Sequence, residues 1–326
     1  MSLLLDKHFN YDDIILDNNK SIVKSRSECN IKTFFGSKEY SSPVCCSNMK
    51  SLLTPDICKI FDNRKWFYVY QRIDGCEDVF KFVQRTRIEK WYSTSISVGI
   101  DDQWIDLLEQ LSTMSYSVDA ITVDVAHSFN DNIIPIIKAC RKYYPNAFLI
   151  VGNGSTPEWV EFMEELGVDC IKMGIGVSKA CRTRQYTGFG SSTVTSLIKC
   201  SESVKNVKIM SDGGLTVDNN GEVWIGDINK SFVLGADYVM SGSLFSKCID
   251  SPAILNGYYG NASENAKGNK KHVEGTNVKV LTNGLTISDM CNLIEDSIKS
   301  GISYAGGKDL TCFKKTKYFF IKKWKK

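Results

Sequence analysis

A chain of 326 residues, 43% hydrophobic and 24% charged, has the make-up of a globular protein, with length for one large α/β barrel or two ordinary domains. Its net charge of +3 demands neither a nucleic-acid nor a membrane partner. No apolar run approaches the roughly 20 residues of a membrane span, and the opening MSLLLDKHFN is broken by charge, so no secretory signal is read and a cytoplasmic setting is expected.

Short apolar, β-branched runs recur along the chain at 43–48, 66–71, 94–99, 120–126, 148–152, 170–174, 208–212 and 238–242. They are near-continuously apolar, as strands covered on both faces should be. Helical patterns lie between them, at 101–112, 130–143, 157–166, 193–200 and 227–234. Thr156 before Pro157 reads as an N-cap followed by proline at the first helical position. Alternating strands and helices imply parallel strands, and eight of them predict a (β/α)8 TIM barrel. A doubly wound open sheet is the alternative, disfavoured because no GxGxxG follows the first strand. The barrel is expected to span 1–326 as a single domain. Residues 217–226 read as a loop insertion, and the Gly-, Asn- and Lys-rich stretch 256–283 as a mobile active-site flap carrying Glu274. A Lys-rich tail at about 313–326 interleaves aromatics; it reads as an edge strand or a solvated terminus ahead of an RNA-binding segment.

The 12 cysteines show no CxxC, and with 3 histidines no zinc spacing exists, so they are expected to be reduced thiols. One stands apart. The run GIGVSKACRTRQYTGFG, 174–190, places Cys181 on a Gly-rich loop after the strand DCIKMG, where a barrel keeps its chemistry. A buried cysteine beside an ordinary turn is the competing reading. Other strand ends carry Asp124-Val125-Ala126-His127, Gly152-Asn153-Gly154, Ser211-Asp212-Gly213-Gly214 and Ser241-Gly242-Ser243. Glycines after the last two strands let backbone N–H groups approach a phosphate. Asp212 suits the hydroxyls of a ribose, or is an acidic turn residue.

These tags, in order, resemble the inosine-monophosphate dehydrogenase / guanosine-monophosphate reductase family. The resemblance runs from Lys24-Ser25-Arg26-Ser27-Glu28 and 43–49 through DVAHS, GNG, the Cys181 loop, SDGG and GADYVMSGS to Val273-Glu274-Gly275 and Ser303-Tyr304-Ala305-Gly306. Arg184 after Thr183, the stretch QYTGFG, and no room for regulatory modules between 71 and 94 favour the reductase branch.

The resemblance implies a covalent mechanism. Cys181 adds to purine C2 of GMP, ammonia leaves with proton transfer involving Thr183 and Glu274, and NADPH reduces C2 to give IMP. It implies substrate contacts from Lys179, Asp212, Gly213, Gly214, Gly242, Ser243, Gly260, Asn261, Ala262, Lys271 and Gly275. Arg72, Asp124, Val125, Ala126, Ile175, Gly176, Ser300 and Ser303 would hold NADPH. Ser25 and Arg26 would reach the cofactor of a neighbouring subunit in a homotetramer. A monovalent cation (K+) would sit on the carbonyls of Gly176, Ser178, Cys181 and Arg184.

Departures from the family pattern cluster on substrate recognition. Ser178-Lys179 stands where Gly-Ser is usual, Asn261-Ala262 where Met-Ser is, and Lys271 where an arginine is. The reaction type is therefore expected to be retained, with preference shifted toward a related purine nucleotide. An IMP dehydrogenase lacking regulatory modules and a non-catalytic purine-nucleotide-binding barrel remain the alternatives.

Overall fold

The structure, a computed structural model, describes residues 8–178, 180–215, 224–268 and 273–321. Seven parallel strands form its centre: β1 (Val44–Cys46), β2 (Ser95–Val98), β3 (Ala120–Asp124), β4 (Phe148–Gly154), β5 (Cys170–Met173), β6 (Lys208–Asp212) and β7 (Tyr238–Ser241). Each neighbour in space is the next in sequence from β2 to β7, and β7 then pairs with β1. Pairing of the last strand with the first is the strand order of a (β/α)8 barrel and not that of a doubly wound sheet, whose order reverses; the gap between β1 and β2 falls at residues 66–71.

One expected strand is corrected. Residues 66–71 contribute a single parallel bridge, Tyr70 to Ile96, rather than a ladder. Trp66, Phe67, Tyr68 and Val69 are nonetheless fully buried. Phe67 stacks on Phe35 and Tyr70 on Phe82, both with ring centroids 3.9 Å apart. The apolar run thus reports burial, which large rings achieve without regular strand pairing.

The packing explains why the open end lies where it does. A hairpin of Thr33–Phe35 and Lys38–Tyr40 precedes β1. Its Phe35 stacks on Phe67 and Tyr238 and meets Phe148 edge-on. With Cys45, Ile150, Cys170, Met210 and Met240 these rings fill the barrel interior. The amino-terminal end of the barrel is therefore plugged, and space is left at the carboxyl ends of the strands.

The five expected helices form, at Asp102–Thr113, Ile134–Tyr143, Pro157–Glu165, Thr193–Ser203 and Gly226–Val233. Thr156 caps its helix by accepting from the Trp159 N–H at 3.3 Å. Helices Pro55–Asn63, Cys76–Ile88 and Ile287–Tyr304 escaped the sequence reading. The last is an amphipathic helix that buries Ile287, Met290, Ile294, Ile298 and Ile302.

The edge-strand reading of the tail holds for its described part, since Tyr318–Phe320 pairs antiparallel with Ile14–Leu16. Most of the expected insertion at 217–226 lies outside the described residues, which resume at Trp224. Within 256–283, Tyr258–Tyr259 pairs antiparallel with Asn277–Val278, and Glu264–Lys267 is a short helix. Among the described residues no helix is long and apolar enough to cross a membrane.

Candidate active site

A cleft of about 410 Å³ opens at the carboxyl ends of the strands. It gathers Cys181, Thr183 and Glu274 with Asp212, Gly213, Gly214, Gly242, Ser243, Gly260, Asn261, Ala262 and Gly275. Arg72, Asp124, Val125, Ala126, Ile175, Gly176 and Ser178 line it as well. Residues spread over two hundred positions thus converge on one recess, because every strand end points into it. Lys179 and Lys271, expected at the substrate, lie outside the described residues.

At the centre, Cys181 Sγ is 3.2 Å from Thr183 Oγ1. The Thr183 hydroxyl in turn donates to Glu274 Oε2 at 2.7 Å. Backbone contacts fix this trio. Arg182 N–H donates to Glu274 O at 2.6 Å and Thr276 N–H to Ala180 O at 2.9 Å, while Cys181 and Gly275 form an antiparallel bridge. Glu274 N–H reaches Ala262 O at 3.0 Å, which brings Asn261 and Ala262 to the same edge. A nucleophile, a hydroxyl and a carboxylate in series can form a covalent bond and pass a proton.

Cys181 is half-buried in the open cleft. Burial pushes the Cys46, Cys58 and Cys170 thiols well up. Cys181 differs from these core cysteines in lining the cleft.

The opposite end is built of glycines and hydroxyls. Gly213 and Gly214 have φ of +80° and +75°, so a side chain there is strained. A Cβ on Gly242 would come within 2.5 Å of the Tyr258 hydroxyl. That hydroxyl lies 3.3 Å from Ser178 Oγ. Burial pushes the Tyr258 phenol up to about 12, keeping it a neutral donor. Tyr258 was missed by the sequence reading, where it is one aromatic in a loop; Ser178 brings a hydroxyl to this wall.

The wall of the cleft includes a charge array built round Lys172, a residue that the sequence reading missed. Lys172 Nζ sits 3.0 Å from Asp124 Oδ1 and 2.9 Å from Asp212 Oδ2, and donates to Asn153 Oδ1 at 2.6 Å. Arg72 donates from Nε and Nη2 to Asp124 O at 3.0 and 2.7 Å. Burial pushes the Asp124 carboxyl up, but the Lys172 ammonium and the Arg72 guanidinium outweigh it and hold Asp124 below the usual carboxylate range. A lone lysine inside an apolar strand was the available signal. Nearby, the buried Asn48 Nδ2 and Asn261 Oδ1 have no hydrogen-bond partner among the described residues, and both residues border the cleft.

Four expected cofactor residues stand apart. Ser25, Arg26, Ser300 and Ser303 do not line the cleft. Arg26 lies 5.8 Å over the Tyr304 ring, and Ser303 Oγ is 3.0 Å from Ser21 Oγ, so two segments of this group share one patch. The expected cation loop is engaged internally: Ser178 O accepts from Cys181 N–H at 3.0 Å and Arg184 O from Gly188 N–H at 3.2 Å. Arg184 itself does not line the cleft. Among the described residues no cluster of His, Cys, Asp or Glu could hold a metal ion.

A parallel barrel that gathers a thiol, a hydroxyl and a carboxylate at its carboxyl mouth, beside a glycine-walled recess, has the layout of an α/β-barrel enzyme. The chain belongs to the IMP dehydrogenase / GMP reductase family, whose domain matches residues 81–323. It is 36% identical to the GMP reductase of Staphylococcus carnosus (strain TM300), covering 97% of both chains. It is 35% identical to the GMP reductase of Helicobacter pylori (strain G27), again over 97% of each.

Proposed function

We propose that this chain is a GMP reductase that converts GMP and NADPH to IMP, ammonia and NADP+. The observation that carries the reading is the Cys181–Thr183–Glu274 series, 3.2 and 2.7 Å link to link, at one end of a nucleotide-sized recess. Cys181 as thiolate bonds to purine C2, and the C2–N bond breaks as Glu274, through Thr183, delivers the proton that lets ammonia depart. NADPH, when bound, supplies the hydride that reduces C2. The S–C2 bond then breaks, returning the thiolate and releasing IMP.

Gly213, Gly214, Gly242, Ser243, Ser178 and Tyr258 take the phosphate, and Asp212 takes the ribose. Gly260, Asn261, Ala262 and Gly275 edge the base, with Lys179 and Lys271 assigned by sequence. For the cofactor, Arg72, Asp124, Val125, Ala126, Ile175 and Gly176 hold the nicotinamide end; Asn48 Nδ2 and Asn261 Oδ1, without a partner among the described residues, favour a polar ligand on that side. Ser300 and Ser303 are assigned to NADPH by sequence, and Ser25 and Arg26 serve the cofactor of a neighbouring subunit, a reading supported by their absence from the chain's own cleft and one that requires a homotetramer. Residues 1–326 act as one barrel unit with 256–283 as its flap, because that segment delivers Glu274. The reducing cytoplasm suits a catalytic thiol.

The test is GMP-dependent loss of NADPH absorbance, with one IMP and one ammonia formed per NADPH consumed. Running dGMP and other purine nucleotides alongside reads the shift in preference that Asn261 and Ala262 suggest. NAD-dependent formation of XMP from IMP would instead establish the dehydrogenase. Nucleotide binding without any thiol adduct by mass spectrometry would leave a binding barrel. A further expected outcome concerns Gly242→Ala: its methyl group meets the Tyr258 hydroxyl and narrows the phosphate end. Crowding of about 1–3 kcal/mol should raise the GMP dissociation constant roughly ten-fold, measured by isothermal titration calorimetry.

A further inference from the structure

Lys172 lies in the middle of β5 with its side chain 4% exposed, and no role in the reaction described above requires it. A buried ammonium is costly unless its partners are well placed. Here the partners are two carboxylates of different assignment, Asp124 on the cofactor side and Asp212 on the ribose side, at 3.0 and 2.9 Å. Burial pushes the lysine down, but Asp124 and Asp212 outweigh it, so it stays charged.

The contact with Asp212 is specific to one oxygen. Oδ2 accepts from Lys172 Nζ at 2.9 Å and from Asn153 Nδ2 at 2.9 Å. Asn153 is itself anchored, donating to Gly174 O at 2.7 Å. No hydrogen bond to Oδ1 forms among the described residues, although Asp212 borders the cleft. A carboxylate held by one oxygen cannot swing about its side-chain torsions, so the other oxygen is presented in a fixed direction.

We propose that Lys172 is a positioning residue that orients Asp212 to recognise the ribose hydroxyls, so that preference for ribonucleotide over 2′-deoxyribonucleotide depends on it. The proposal rests on the nucleotide reading of the cleft. It differs from simple charge neutralisation, which would weaken all nucleotides alike and leave their ratio unchanged.

Calorimetric titration of GMP and dGMP into the full chain separates the two. The unmodified chain is expected to favour GMP by about ten-fold, as for loss of one hydrogen bond to a charged group. In Lys172→Met the ratio is expected to fall to within about two-fold. Asp212→Asn should do the same, and the double variant should show no further fall, because the lysine acts through the aspartate. Lys172→Gln carries the test if the methionine variant does not fold. Asn153→Ala, which removes only the second donor to Oδ2, carries it if neither does; its ratio must fall for the proposal to stand. A preserved ratio in the variant that folds overturns the role of Lys172 alone, as does equal affinity for GMP and dGMP in the unmodified chain. If the unmodified chain binds neither nucleotide, the GMP reductase reading falls and this proposal with it.

Discussion

Cys181→Ala lowers turnover of GMP by about 10⁴-fold or more while nucleotide binding persists, the size expected when a covalent nucleophile is lost. The substitution removes one sulfur from a half-exposed position. It leaves the Thr183–Glu274 hydrogen bond at 2.7 Å and the Arg182–Glu274 and Thr276–Ala180 backbone contacts in place. The recess for the nucleotide therefore keeps its shape, and the loss falls on kcat rather than on affinity. Three measurements together check this: the steady-state rate of NADPH consumption, calorimetric GMP affinity, and intact mass after quenching with GMP. The unmodified chain should carry a purine adduct, and the variant none. Residual turnover within ten-fold of the original would show that the sulfur is not the nucleophile.

The second large effect belongs to Glu274→Gln. Glutamine keeps an oxygen that accepts from Thr183 and keeps both backbone contacts, so position is preserved while the ability to exchange a proton is lost. General acid–base catalysis contributes about 10² to 10⁴-fold, and a fall in kcat of that size with little change in KM for GMP is expected. Thr183→Val should produce a comparable fall, since it breaks the link between carboxylate and reacting nitrogen. Ammonia release in a single turnover is the deciding readout, because the departing amine is where the proton is needed. Unchanged ammonia release in Glu274→Gln would remove the carboxylate from the mechanism.

Legibility in the sequence followed the range over which each signal acts. The barrel strands could be read because continuous apolar runs encode burial on both faces, and their order followed from alternation with helices. The same signal misled at 66–71, where buried rings do the packing and only Tyr70 bridges a neighbour. Cys181 could be read from its Gly-rich loop after a strand, and the role of Thr183 came through resemblance. Glu274 came through resemblance, since nothing local announces that a distant loop returns to the thiol. Lys172 and Tyr258 were not legible, because their meaning lies in contacts such as Lys172 to Asp212, 40 positions away. Amphipathic spacing in 287–304 was readable in principle, with Ile287, Met290, Ile294 and Ile298 on one face.

The uneven burial of the thiols has a practical corollary. Cys76 and Cys312 are the other half-exposed cysteines, and burial pushes both of their thiols up. Cys181 lines the open cleft and these two do not. A bound nucleotide should therefore slow haloacetamide incorporation at Cys181 and leave the other two unaffected, so that the protected fraction, read by mass mapping, counts the ligand-competent molecules in a preparation.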